Sequence, residues 1–171
     1  YVLMCKVLGE EYPVTLTTLN NLAHTYGQLG EYKRALELQE KCYALQCKAL
    51  GEEHPDTLMM LNNLAGTYGK LGDHKKALGL FEQCYVLMCK VLGEEHPDAL
   101  RSLGNLAWTH MQLADYEKAA CLLEKLYASL RNNSDADEDW VEKTLERLAE
   151  CYDKLGQPEK ATEVRARAVK K

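Results

Sequence analysis

The chain has no surplus of positive charge: 21 lysines and arginines are set against 26 aspartates and glutamates, giving a formal net charge of −5 and an isoelectric point near 5.6. A balance of that sign gives no general attraction for phosphate backbones or anionic lipid, which argues against nucleic acid and membrane surfaces as partners. No apolar run approaches the ~20 residues that a helix needs to cross a bilayer, so membrane insertion is not expected. The cysteines number seven, an odd count, in a chain of 171 residues that can bury a core without crosslinks. They read as reduced thiols of a cytoplasmic protein rather than a disulfide framework.

Catalytic and metal-binding patterns are lacking as well. Cys42 and Cys47, like Cys84 and Cys89, are five residues apart. On a helix that spacing turns them about 140° from each other and prevents shared chelation. His54 and His96 fall in successive loops, as hydrogen-bonding groups rather than a cluster. Gly66 and Gly69 lie inside a helical pattern, so they do not form a phosphate loop after a strand. No nucleophile motif occurs, and no repeated carboxylate pair sits in an apolar setting that would tune it for acid–base work. The chain is not expected to be an enzyme, and no cofactor is implied.

What is present is a period of 42. Gly9, Gly51 and Gly93 recur at that spacing, as do Pro13, Pro55 and Pro97, and segments 9–50 and 51–92 agree at about two thirds of their positions. A fixed period of this size marks stacked repeats, each burying its apolar face against its neighbours. The expected divisions are the end of a preceding repeat at 1–8, repeats at 9–50, 51–92 and 93–134, and a degenerate C-terminal repeat at 135–171, all in one solenoid domain. Residues 1–11 duplicate residues 85–95 in kind, which predicts that Tyr1 lies inside a helix and that the chain is part of a longer array. The apolar edge at Tyr1, Val2 and Leu3 is then a candidate for self-association through exposed repeat ends.

Each repeat reads as two helices. Leu58, Leu61, Leu64, Ala65, Tyr68 and Leu71 have the three-and-four spacing of a helix stripe, with Pro55 near its start and Gly72 as its stop. A second stripe runs through Ala77, Leu80, Phe81, Cys84, Leu87 and Val91, with a further apolar edge at Leu78, Tyr85, Cys89 and Leu92. A helix apolar on two edges must be covered on both. The linker from Asn132 to Asp139 has lost the glycine and proline, Asp137 to Asp139 read as acids at a helix N-terminus, and Lys170 and Lys171 give the last helix a cationic end.

The run Asn62-Asn63-Leu64-Ala65, then Tyr68, Leu71, Gly72 and Ala77, resembles the tetratricopeptide repeat, and the 42-residue unit with its Leu-Gly-Glu-Glu-His-Pro-Asp loop resembles the kinesin light chain subclass. The resemblance implies an all-α, right-handed α-solenoid of helix-turn-helix repeats. It also implies a scaffold or adaptor that holds a linear peptide motif of a partner protein in a concave groove lined by first helices. On that geometry Asn20, Asn21 and His24 face the groove in the first repeat, Asn62, Asn63 and Lys70 in the second, and Arg101, Asn105 and Trp108 in the third. Asparagine amides can pair with both the N–H and the C=O of a bound backbone. Trp108 either anchors a ligand or fills the space left by Gly104 one turn earlier. Lys70, Arg101, Lys143 and Lys154 suggest an acidic peptide. The alternative is a structural or self-associating repeat segment of a larger signalling protein.

Overall fold

The structure, a computed structural model, describes residues 1–133 and 136–169, the last two of these without their side chains. Asp135 of the degenerate linker and the cationic end at Lys170 and Lys171 lie outside the described residues. Among the described residues there are nine helices and no strand. The first is α1 (Val2–Leu8), and the others form pairs: α2 (Pro13–Gln28) with α3 (Tyr32–Leu50), α4 (Pro55–Lys70) with α5 (His74–Leu92), α6 (Pro97–Gln112) with α7 (Tyr116–Asn132), and α8 (Glu138–Lys154) with α9 (Pro158–Val169). The fold is all-α and of the α-solenoid class.

Local chemistry sets the boundaries. Proline opens α2, α4 and α6, where its missing N–H costs nothing. The loop histidines turn out to be helix caps. The Nδ1 atoms of His54 and His96 each accept the N–H two residues on, from Asp56 and Asp98, at 3.2 Å. Tyr12, in the same place before α2, has no side-chain cap bond. At the other end of each first helix the chain reverses through a left-handed residue, so that the Asp73 N–H donates to the Tyr68 carbonyl at 3.0 Å. Gly72 takes that conformation at φ 84°, while the third repeat uses Ala114 at φ 58°.

The helices group into two compact units, residues 1–92 and 93–171. In the first, α2 packs on α3, α3 on α4 and α4 on α5. Leu19, Cys42 and Met60 are buried together at the meeting of three of these helices, with Tyr1, Leu38, Tyr43 and Leu45 against them. In the second, α6 to α9 pack in the same sequential way around Ala107, Leu123, Leu145, Leu148, Ala149 and Val164. Each fully buried leucine contributes about 1.5–3 kcal/mol relative to exposure. Along α5 the buried stripe is Ala77, Phe81, Cys84 and Met88. The stripe expected to end on Val91 ends on Met88 instead, because spacings of four, three and four hold one line down the helix while Val91 turns outward.

Side-chain ties recur with the period. Cys42 and Cys84 donate their thiols to the Leu16 and Leu58 carbonyls at 3.7 and 3.4 Å. The Tyr68 hydroxyl reaches Glu40 at 2.5 Å and the Tyr152 hydroxyl reaches Glu124 at 3.2 Å. Loop glutamates clamp second helices, Glu10 to Lys41 at 2.7 Å and Glu11 to Lys48 at 2.5 Å. Exposed pairs of this kind contribute about 0–1 kcal/mol each. Val2 is 67% exposed and Val86, 84 residues on, is 64% exposed, so this position faces outward inside the array too; Leu3 differs, being exposed where Leu45 and Leu87 are half-buried.

Candidate functional site

In the first unit the candidate residues stand on α2 and α4, beside the stripes those helices bury. Leu16, Leu19 and Ala23 turn one face of α2 into the core, which leaves Asn20 half-buried and Asn21 and His24 exposed. On α4, with Leu58, Leu61, Leu64 and Ala65 buried, Asn62 is half-buried and Asn63 and Lys70 are exposed. The second asparagine of each pair has a fixed role through its backbone: the carbonyls of Asn21, Asn63 and Asn105 accept the hydroxyls of Thr25, Thr67 and Thr109 at 2.8, 3.1 and 2.8 Å. The exposed Asn21 and Asn63 thus keep their backbones tied within the helix while their side chains stand in solvent.

The second unit has a shaped site. A cleft of about 360 Å³ is lined by Trp108, Met111 and Gln112 of α6, Tyr116 at the start of α7, and Arg147, Glu150 and Lys154 of α8. Trp108 therefore lies in a cleft wall, and the space at Gly104 is filled by another residue. A Cβ built on Gly104 would meet Leu126 at 3.4 Å and nothing else within 4 Å. Leu126 occupies the position of Cys42 and Cys84, so a larger side chain on α7 is matched by a smaller one on α6.

The cations sort by their partners. Arg101 is tied to Asp98 three residues before it, and Lys143 to Asp139 at 2.5 Å, so both are compensated on their own helices. Arg147, Glu150 and Lys154 face the cleft with none of the ion pairs that hold the other two. The sequence reading left out Met111, Tyr116 and Arg147 as lining residues. Arg147 had a visible signal, since it stands in register with Asn21, Asn63 and Asn105. In the third repeat His110 replaces the repeat tyrosine and places Nδ1 3.2 Å from Asp115.

Asp137 caps α8 by accepting the Asp139 N–H at 3.1 Å. Burial pushes the Cys42 and Cys151 thiols up to about 11, far from a nucleophile's range. Among the described residues no three metal-binding side chains are gathered for an ion, and no helix is long and apolar enough to cross a membrane.

Paired helices with polar first-helix faces and a shallow cleft are the features of a helical-repeat scaffold for protein interaction. The profile of the tetratricopeptide repeat matches residues 3–48, 14–90 and 56–132, and the chain belongs to that family. Its repeats are of the kinesin light chain-like kind. A Podosopora anserina protein described as a kinesin light chain with nearly identical TPR-like repeats is similar at 30% identity over 98% of this chain and 79% of its own, with a TM-score of 0.83. A variant of that protein gives 0.85 over the same shares. BtubC (BKLC) from P. vanneervenii shares the fold at TM-score 0.85 and 22% identity, over 90% of this chain and 61% of its own. A Rap protein solved in complex with Competence and Sporulation Factor does so at 0.73 and 16%, over 89% and 41%. The comparison with curated proteins returned no match.

Proposed function

We propose that the chain is an adaptor that holds an extended peptide motif of a partner protein on its first-helix faces, with the cleft of the second unit as the specificity pocket. The cleft carries the reading: Trp108, Met111 and Tyr116 line one part of a mostly polar recess, and Arg147 and Lys154 bring two cations that have no ion pair among the described residues. A side chain entering it is desolvated against a tryptophan, the residue type that most often dominates interface energetics. The excess of cation over the one acid, Glu150, favours a peptide that places an acidic residue beside Trp108. Asn20, Asn21, Asn62, Asn63 and Asn105 hold peptide backbone, and His24, Lys70 and Arg101 extend the contact. The likeness to a protein described as a kinesin light chain supports a cargo-adaptor role in the cytoplasm.

Peptide-display selection against 1–171, repeated with Asn62→Ala plus Trp108→Ala, tests this. A shared acidic and apolar motif that disappears with the double variant is the expected result. No enrichment, or a motif indifferent to both changes, would leave a structural repeat segment as the better description.

A further inference from the structure

The second helices of the first three repeats share four buried register positions, and α3 fills two of them unlike the others. Its buried stripe is Ala35, Gln39, Cys42 and Gln46, where α5 has Ala77, Phe81, Cys84 and Met88 and α7 has Ala119, Leu123, Leu126 and Leu130. Gln39 and Gln46 are 6% and 7% exposed, so both are core residues rather than surface amides. Neither Oε1 atom meets a hydrogen-bond donor among the described residues. An amide oxygen that is hydrogen-bonded to water in the open chain and loses that bond on closing favours the open chain. Phe81 and Met88, 2% and 3% exposed, have the opposite preference, since closing removes their apolar surface from water.

The same stripe carries a reporter. Cys42 lies between the two glutamines, and Cys84 lies between Phe81 and Met88. Both thiols are fully buried, and each donates to a carbonyl 26 residues earlier, that of Leu16 or of Leu58. We propose that the first repeat is a conformational device: α3 opens, together with the α2 helix on which it packs, while α4 and α5 stay paired, and each opening exposes the Cys42 thiol to small thiol-reactive solutes that do not reach Cys84. A helix pair is the usual size of such a cooperative unit. The buried cluster of Leu19, Cys42 and Met60 is uncovered in the same step.

The test is pulse alkylation of the full chain with iodoacetamide in urea well below the unfolding midpoint, read peptide by peptide by mass spectrometry. Where reclosing is faster than alkylation, the rate at each thiol follows the population of its open form. Cys42 is expected to label at least about tenfold faster than Cys84, a ratio that corresponds to 1.4 kcal/mol of opening free energy. Gln39→Leu plus Gln46→Met, which install residues of the third and second repeats, should slow Cys42 at least about tenfold and leave Cys84 within about twofold. Gln46→Met alone, close to glutamine in shape, should give part of that change, so a misfit of the leucine does not spoil the comparison. A Cys42 rate equal to or below that of Cys84 would overturn the proposal, because α3 would then be no easier to open than α5. A faster Cys42 that neither variant slows would overturn it too, assigning the difference to the place of α3 nearer the start of the chain.

Discussion

A Cβ on Gly104 would lie 3.4 Å from Cδ2 of Leu126, so the glycine of the third repeat is the complement of a leucine on the neighbouring helix. Gly104→Asn, which restores the residue of the first two repeats, adds an amide beyond a Cβ that is already in van der Waals contact with Leu126, and should destabilise the chain by about 1–2 kcal/mol against the small gain in helix propensity. Adding Leu126→Cys to that variant should recover part of the loss, with a coupling energy of about 1 kcal/mol in a double-mutant cycle read by urea denaturation. Strict additivity of the two changes would show that the pair is not complementary.

Ala114 is the sole non-glycine residue at positive φ among the described residues, at 58°, in a position where the other three repeats have glycine. Ala114→Gly should raise stability by about 0.5–1 kcal/mol, as the left-handed conformation strains a Cβ. Gly51, at φ 93° and ψ 160°, occupies a region reserved almost wholly for glycine. Gly51→Ala should cost about 1–3 kcal/mol in the same denaturation assay.

Cap repair offers a change of the opposite sign at the surface. Tyr12→Asp supplies an acceptor where α2 has none, and should stabilise by about 0.5–1 kcal/mol; His96→Ala removes the acceptor for the Asp98 N–H and should cost a similar amount. Thermal midpoints of the two variants should move in opposite directions.

Hydrogen bonding to Glu40 and, second, burial raise the Tyr68 phenol from 10.0 to about 12. A raised value in the fold means that the unfolded chain loses this proton first. The stabilisation is therefore complete below pH 10 and is lost as the pH rises through about 12. Burial also holds Tyr43, Tyr152 and Tyr1 above the ordinary tyrosine value, so ultraviolet titration should show several late-ionising tyrosines, one fewer in Tyr68→Phe, with one ionising earlier in Glu40→Gln. A late-ionising amplitude that is undiminished in Tyr68→Phe would show that Tyr68 is not among these tyrosines.

Much of the fold was readable because a 42-residue period repeats the same solution, and Pro55, Gly72 and the leucine stripe each carry a local physical meaning. The site was readable only in part. Trp108 could be picked out as an unusual residue, but the cleft it lines is completed by Tyr116 of α7 and by Arg147, Glu150 and Lys154 of α8, which lie on different helices. Arg101 and Lys143 could be picked out as cations, but that each is paired with a carboxylate of its own helix, Asp98 and Asp139, had to be seen in the structure. Arg147 looked like a departure from the asparagine pattern, and only the packing of α8 made it part of a pocket. Periodicity reports what neighbouring repeats share, whereas binding chemistry resides where they differ.

The recurring ties span short stretches of chain: 26 residues for the cysteine thiols, 28 for the tyrosine hydroxyls, and 31 and 37 for the loop glutamates. Such contacts close small loops, so little chain entropy is lost before each is rewarded, and the molecule has the low contact order of fast-folding helical proteins. A nascent chain could complete each helix pair soon after it is made, without waiting for distant sequence. The same economy means that a whole repeat can be duplicated or lost in evolution with no other contact needing to be redesigned.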